Sequence, residues 1–410
     1  MTIVLLILAL LGFISIVAED FTGVDKAKAT LFFGTLAWVL YFIAPPAGVT
    51  PERLHQALNV NLLEIAGLWL FLMAAMTFVA YISSKGVINA IVYRIMPANM
   101  SERKLMLLTG LFAFLFSSVA DNITATLVCL AVLLSLNLDT EKLLRYVVLV
   151  VFAVNSGGAA LITGDVTTLM IFLAGKVTIP DLLLLILPAF TAVMLLALLL
   201  SASFKGTIVL EKQHIDVSFG DKVTTGLFAA TILGTILGNI AFGIPPVLSF
   251  LFGLSVMFMA VHYINKEEPV LDYIRKIEFD TLIFFLGVLL IVGILEELSV
   301  LSKFLTLYTQ LPVAAANYTV GLFSALIDNV PLTAALLKSG INMSEGEWLM
   351  LTYAVGAGGS MLAIGSAAGV VAMSKIPELT FVTYLRYFGY LFVAYTLGFV
   401  LVLITSALFI

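Results

Sequence analysis

The chain has 410 residues, of which 62% are hydrophobic and only 11% are charged, and its formal net charge is −5. A soluble domain of this length needs a far more polar surface, and the basic residues are too few and too scattered for nucleic-acid binding. The composition therefore predicts an all-α, multi-pass protein of the lipid bilayer, because helices satisfy their own backbone groups where water is absent.

Apolar segments follow one another in two series of six. The first half, residues 1–204, is predicted to span at 3–17, 29–43, 60–82, 106–136, 146–174 and 182–204. A polar connector, residues 205–222, leads to the second half, residues 223–410, with spans at 223–240, 247–261, 281–295, 318–337, 348–373 and 381–410. The two halves have the same rhythm, which indicates an internal repeat.

Each half places an Asp-Asn pair inside an apolar run: Asp121-Asn122 within 106–136, and Asp328-Asn329 within 318–337. The first run has 31 residues. One upright helix of that length would measure about 46 Å, against a hydrocarbon core of about 30 Å. Broken at the pair, each arm covers only about 22 Å. We therefore predict two re-entrant hairpins, at 106–136 and 318–337, with the Asp-Asn pairs at their tips.

A glycine pair follows each hairpin, Gly157-Gly158 in the first half and Gly358-Gly359 in the second. Glycines weaken a helix inside a membrane, and neighbouring Asn155, Ser156 and Ser360 offer oxygen atoms where the backbone opens. Close helix packing is the competing interpretation. We predict broken helices at 146–174 and 348–373 that form ion sites.

The loop charges support this topology. If both Asp-Asn runs enter and leave on one face, 16 of the 20 Lys and Arg residues fall on one side, whereas single crossings divide them ten and ten. Basic residues collect on the cytoplasmic side, so both termini are predicted to lie outside the cytoplasm. Each half then crosses an odd number of times. This predicts an inverted repeat with about ten transmembrane helices, two hairpins and two broken helices.

Three acidic residues, Asp121, Asp165 and Asp328, lie in span interiors, and no basic residue is predicted at a comparable depth. A buried carboxylate needs a positive charge, which a proton or a small cation such as sodium or lithium can supply. Competition between the two for the same carboxylates predicts cation/proton exchange. Glu64, near the start of the third span, is equally compatible with a functional role and with an interfacial position.

These motifs resemble NhaD-type sodium/proton antiporters of the ion transporter superfamily. The resemblance runs in order through Ser117–Thr126, Asn155–Met170, Ile327–Thr333 and 356–370, and Asn155–Met170 is its most specific part. It implies exchange of internal Na+ or Li+ for external H+ across a bacterial inner membrane, favoured at alkaline pH, without a cofactor, and a possible homodimer. The unpaired acids at two repeated breaks predict a rocking or elevator-like alternating-access exchanger, in which Asp121 and Asp165 lead in holding a cation or protons and Asp328 and Asn329 complete the site. With Ser156 added from the glycine motif, the implied ligands are Asp121, Asn122, Asn155, Asp165, Thr167, Thr168, Asp328, Asn329, Ser360 and Ser366.

Two alternatives remain open from the residues. The same architecture serves anion carriers for dicarboxylate or arsenite, but such sites should show basic residues or serine-rich half-helix N-termini at the breaks, and three acids lie near them here. An intramembrane aspartyl protease is a remote second alternative, since two membrane aspartates can share a proton in catalysis. We predict a transporter and not an enzyme.

Overall fold

The computed structural model describes residues 1–17, 19–46, 49–95, 97–136, 138–209, 215–301 and 304–410. Its first half contains α1 (Thr2–Val17), α2 (Glu19–Thr22), α3 (Lys26–Ile43), α4 (Pro51–Ser84), α5 (Val87–Ile95), α6 (Glu102–Val119), α7 (Asn122–Leu134), α8 (Thr140–Gly158), α9 (Val166–Leu173), α10 (Ile179–Leu183) and α11 (Ile186–Ser201). Its second half contains α12 (Phe219–Phe242), α13 (Pro246–Ile264), α14 (Asp272–Arg275), α15 (Phe279–Glu297), α16 (Phe304–Gln310), α17 (Val313–Ser324), α18 (Asn329–Leu337), α19 (Glu345–Gly359), α20 (Ala367–Lys375), α21 (Phe381–Leu385) and α22 (Phe388–Phe409).

The predicted all-α membrane class is confirmed. Within the described ranges, seven helical segments are long and apolar enough to cross a bilayer: α3, α4, the run Ile179–Ser201, α12, α13, α15 and α22. Around the Asp-Asn pairs and the glycine pairs, α6 and α8 are as long as α3 and α15, whereas the other helices are shorter: α7, α9, α17, α18, α19 and α20. A short 3-10 helix, Ala363–Gly365, lies between α19 and α20.

A small β ladder joins the loop before α6 to the connector. β1 (Asn99–Ser101) and β2 (Thr207–Val209) pair antiparallel, with Met100 opposite Ile208. The sequence did not predict these strands, because three residues are too few to show an alternating pattern. Residues 210–214 of the predicted connector lie outside the described residues.

Helices α6 and α8 lie parallel to each other. At their N-terminal ends the Tyr146 hydroxyl donates to the Glu102 carbonyl at 2.7 Å, and at their C-terminal ends the Ser117 hydroxyl donates to the Val154 carbonyl at 2.7 Å. Both helices therefore begin on the same side. The intervening α7 returns the chain to that side, so that α6 and α7 enter and leave on one face.

The second half repeats this arrangement with α17 and α19. The Asn317 amide donates to the Glu347 carbonyl at 2.8 Å, and the Ser324 hydroxyl donates to the Val355 carbonyl at 2.8 Å. These two helices are also parallel. The intervening α18 returns the chain to the side on which α17 began.

The segments α8–α9 and α19–α20 run in opposite directions. The Lys176 ammonium, just after α9, lies over the Trp348 ring near the start of α19, 5.4 Å from its centroid. Further along, Tyr387 contacts Arg145 near the start of α8. The segment α8–α9 therefore ends where α19 begins, and the chain after α20 returns to the side where α8 begins.

The glycine pairs stand where each broken helix crosses a hairpin arm. A Cβ on Gly157 would come within 3.0 Å of the Phe114 carbonyl oxygen, and a Cβ on Gly358 would come equally close to the Gly321 carbonyl oxygen. Close packing is thus one role of the pairs, as the competing interpretation expected. Gly158 has a different neighbour, because its Cβ would meet the Asn122 side-chain oxygen.

Candidate functional site

A cavity of about 130 Å³ lies where the hairpin tips, the first helix break and the N-terminal ends of α3 and α15 come together. Six predicted ligands line it, with side chains from both halves of the chain. They are Asp121, Asn122, Asn155, Asp165, Asp328 and Asn329, and further polar lining comes from Asp25, Lys26, Thr163, Asp280 and Thr281.

Asp165 precedes α9 and is only 5% exposed. Its Oδ1 accepts hydrogen bonds from the Thr167 backbone nitrogen at 2.8 Å and the Thr167 hydroxyl at 3.0 Å. Its Oδ2 accepts from the Asn122 amide at 3.0 Å. The helix N-terminus and the amide stabilise the carboxylate without neutralising it, so a cation can bind beside it.

Asp121 caps the N-terminus of α7. Its Oδ1 accepts from the backbone nitrogens of Ile123 at 3.1 Å and Thr124 at 2.9 Å, and its Oδ2 accepts from the Thr124 hydroxyl at 2.6 Å. The residue also lines the cavity, where it is partly exposed. Asp121 therefore fixes the start of the returning arm and adds negative charge to the cavity.

Asp328 caps α18 through the Val330 backbone nitrogen at 3.1 Å and is 5% exposed. Its Oδ2 also lies 3.7 Å from the Lys26 ammonium. The expectation that no basic residue reaches the depth of the membrane acids was therefore wrong for Asp328. Lys26 begins α3, whose packing brings this end to the hairpin tip, and the apolar pattern of the sequence had placed it in a loop.

Asn155 connects the two halves at the helix breaks. Its amide donates to the Ser366 hydroxyl at 3.1 Å and to the Val151 carbonyl at 2.8 Å. Its side-chain oxygen, the Ser156 hydroxyl and the Thr168 hydroxyl are buried without a hydrogen-bond partner among the described residues. Buried oxygens are normally satisfied, so these three have capacity left for water or for a cation.

The remaining predicted ligands stand back from the cavity. Thr167 and Ser366 bond to lining residues, Asp165 and Asn155 respectively. Ser360 donates its hydroxyl to the Ala357 carbonyl and does not line the cavity, and neither do Ser156 and Thr168. The predicted ligands therefore form a lining group and a supporting group.

Glu64 lies in another part of the protein. Its carboxylate is 2.9 Å from the Lys338 ammonium, which also contacts Glu296 at 2.9 Å. Among the described residues this cluster is separate from the cavity lined by the three aspartates. The position of Glu64 favours a structural pairing over the direct binding role that the sequence left open.

Sequence reasoning missed the charged residues at the N-terminal ends of α3 and α15. The predicted spans begin at residues 29 and 281, so Asp25, Lys26 and Asp280 fall in predicted loops. Asp25 caps α3 by accepting from the Ala27 and Lys28 backbone nitrogens at 2.9 and 3.2 Å. An aspartate followed by a long apolar helix was the available signal, since it marks a helix start earlier than hydropathy does.

Glu278 immediately precedes α15, and the negative charges near the cavity affect the ionisation of its carboxyl group. Burial and the negative charges of Asp121 and Asp280 raise the pKa of Glu278 to about 7, against the lowering effect of a hydrogen bond from Thr281. The contribution of Glu278 to the free energy of unfolding is fully present below the ordinary pKa near 4.5, where the carboxyl group is protonated in both states. This contribution is lost as the pH rises through about 7, because the buried carboxyl group must then ionise.

Glu278→Gln should therefore become more stable relative to the unchanged protein as the pH rises from about 5 to about 9, because the variant never ionises at this position. Thermal unfolding of purified protein in detergent across this pH range measures the difference. The exposed Glu141, replaced by Gln, is the control. Parallel pH curves for the unchanged protein and Glu278→Gln would contradict the assignment.

Comparison with known proteins finds one family model and several relatives that match most of the chain. The family model described as a citrate transporter matches residues 3–358. The chain is 31% identical to the Na+/H+ antiporter NhaD of Vibrio cholerae, over 98% of this chain and 91% of that protein. It is 30% identical to the NhaD antiporter of Halomonas elongata, over 98% and 88%. It is also 30% identical to sodium/proton antiporter 2 of Arabidopsis thaliana, over 95% and 96%.

Proposed function

Because the chain belongs to the NhaD type of sodium/proton antiporter within the citrate transporter family, we propose that it exchanges Na+ for H+ across a membrane. The observation that carries this proposal is the charge of the cavity. Five aspartates line it, Asp25, Asp121, Asp165, Asp280 and Asp328, together with a single lysine, Lys26. Such a surface attracts small cations and protons.

Asp165 and Asp121 would hold either the cation or protons, with Asp165 as the principal ligand. Asp165 is buried and amide-bonded to Asn122, and it has no basic partner among the described ion pairs. Carboxylate, amide and hydroxyl oxygens are the ligands that a hard monovalent cation prefers. Because a proton and a cation neutralise the same charge, binding of one releases the other, and exchange follows.

Alternating access would come from an inverted repeat of residues 1–204 and 223–410, joined by the connector 205–222. The antiparallel courses of α8–α9 and α19–α20, and the matched hairpins α6–α7 and α17–α18, support this division. Binding at a repeat interface near the midplane is usual for such transporters. The movement itself, rocking or elevator-like, is part of the proposal.

The anion-carrier alternative has less support. The lysine that lines the cavity is already paired with Asp328, and the other charged residues of the lining repel an anion. The protease alternative also loses support, because the relatives are named as transporters and each candidate carboxylate has other partners in Asn122, Thr124 or Lys26. A shared-proton aspartate pair requires two carboxylates facing each other.

The proposal is tested in everted membrane vesicles that carry a preformed pH gradient. Adding Na+ should dissipate the gradient, and Li+ should do so too as the second proposed substrate. Vesicles without the protein and addition of choline chloride are the controls. If neither ion dissipates the gradient at any pH from about 7 to about 10, the antiporter proposal fails.

The finer statements can be tested separately. The basic side with Lys85, Arg103, Lys142 and Arg145 is proposed to face the cytoplasm of a bacterial inner membrane, so both termini lie outside. Impermeant labelling of single cysteines placed at each terminus in intact cells measures this orientation.

A homodimer in the lipid bilayer is also proposed, and light scattering of the purified protein measures its mass.

A further inference from the structure

Lys26 is the basic residue of the cavity lining, and its position is set by the helix it begins. The Asp25 side chain caps α3 and fixes the first turn, while the Trp38 indole donates to the Leu290 carbonyl of α15 at 3.0 Å. The Lys26 ammonium lies over the Phe284 ring of α15, 4.8 Å from the centroid. Lys26 is thus held by the α3–α15 pair, and not by the hairpin that carries Asp328.

The contact between Lys26 and Asp328 joins two separate parts of the protein. Its length of 3.7 Å makes it an ion pair without a close hydrogen bond, and the side chains are 20% and 6% exposed. Asp328 accepts one further hydrogen bond, from the Val330 backbone nitrogen. Because the Asp328 side chain is buried, the ammonium is the positive charge that its carboxylate requires.

The three acids of the two hairpins and the first break are therefore unequal. Within the described part of the chain, Asp165 and Asp121 accept hydrogen bonds only from neutral donors, Asn122, Thr167, Thr124 and backbone nitrogens. Asp328 has a fixed cation beside it. A sodium ion entering the cavity finds an uncompensated carboxylate in the first half and a compensated one in the second.

We propose that Lys26 is the resident counter-ion of Asp328 and occupies the place of a transported cation at the second hairpin tip. While the pair is formed, Asp328 does not bind sodium, and the Lys26 charge weakens sodium binding at Asp165 by repulsion. The inference rests on the proposed function and deepens it, because it assigns the transported cation to the first half of the site.

The proposal predicts that two substitutions change the apparent sodium affinity in opposite directions. Lys26→Gln removes the repulsion and frees Asp328, so the apparent sodium affinity should rise by about fivefold. Asp328→Asn leaves the ammonium unpaired beside the site, so the affinity should fall by a similar factor. The double variant removes both charges and should return close to the affinity of the unchanged protein. If Asp328 were a direct ligand, the double variant would instead bind as weakly as Asp328→Asn.

The measurement is the sodium concentration that gives half of the thermal stabilisation of the purified protein at fixed pH, with choline chloride keeping the ionic strength constant. Lys26→Arg should retain the original affinity, because it keeps the charge. Lys28→Gln is the matched control, since Lys28 is exposed two positions away on α3. Size-exclusion chromatography checks that each variant is folded, and if Lys26→Gln is not, the comparison of Asp328→Asn with the double variant decides.

The outcomes distinguish failure of the counter-ion proposal from failure of the antiporter proposal. If the unchanged protein is stabilised by sodium but Lys26→Gln binds it no more tightly and the double variant stays as weak as Asp328→Asn, the counter-ion role is wrong and the antiporter proposal stands. If sodium stabilises none of the proteins and dissipates no pH gradient, both are wrong. If all variants weaken binding alike, Lys26 and Asp328 have only a structural role.

Discussion

Replacing Asp165 with asparagine is expected to abolish sodium-dependent dissipation of a pH gradient, with a loss of about two orders of magnitude or more. The amide keeps the shape of the side chain but neither carries a negative charge nor binds a proton at physiological pH. Because asparagine also caps helices well, α9 should still begin at residue 166 and the protein should still fold. The defect should therefore appear in exchange and not in the amount of protein.

The matched control is Asp139→Asn. Asp139 also precedes a helix of the first half, α8, but its side chain is 78% exposed and its partner is Lys142 at 3.2 Å. Exchange should be unchanged in this variant. Everted vesicles containing equal amounts of each protein provide the measurement, with the sodium-dependent thermal shift as a second readout. Exchange by Asp165→Asn within several-fold of the unchanged protein would remove Asp165 from the proposed site.

Replacing Gly157 or Gly358 with alanine is expected to reduce the amount of folded protein severely, at a cost of about 3 kcal/mol or more in stability. In both variants the new Cβ would come within 3.0 Å of a carbonyl oxygen on the crossing hairpin arm, at Phe114 or at Gly321. A backbone atom cannot rotate away as a side chain can, so the two helices must separate. Separation would also misplace the hairpin tip that carries Asp121 or Asp328.

Gly226→Ala is the control for this prediction. Gly226 lies within α12, and a Cβ there would meet no atom within 4 Å. Alanine favours a helix over glycine by about 0.5–1 kcal/mol, so this variant should be unchanged or slightly more stable. Fluorescence-detected size-exclusion chromatography and the unfolding temperature measure all three variants. If Gly157→Ala and Gly358→Ala behave like Gly226→Ala, the close crossings are not essential.

Much of the fold followed from the sequence, because a bilayer restricts the possible structures so strongly. The length of the 106–136 run, compared with the membrane thickness, predicted a break at Asp121-Asn122, and α6 ends at Val119 while α7 begins at Asn122. Comparing segment length with membrane thickness does not show how deep in the membrane the first residue of a helix lies. A hydropathy window averages over many residues, so Lys26 and Asp280 were read as loop residues although both line the cavity.

The repeated motifs also identified much of the polar lining of the cavity. Asp121, Asp165 and Asp328 were singled out because uncompensated charge is costly inside a membrane, and all three line one cavity. The motifs could not separate lining ligands from supporting ones. Thr167 and Ser366 belong to the same motifs as the lining residues, but they contact the cavity only indirectly. Thr167 is hydrogen-bonded to Asp165, and Ser366 is hydrogen-bonded to Asn155.

The sequence by itself determined the membrane class, the two broken series of helices, the family and the acidic character of the site, since these depend on segment length, composition and local motifs. Only the tertiary structure decided that Lys26 contacts Asp328, that Glu64 pairs with Lys338 away from the cavity, and that Gly157 and Gly358 stand at helix crossings. Each of these depends on which side chains meet across helices far apart in the chain. Such contacts are set by the packing of whole helices, which no local pattern of residues specifies.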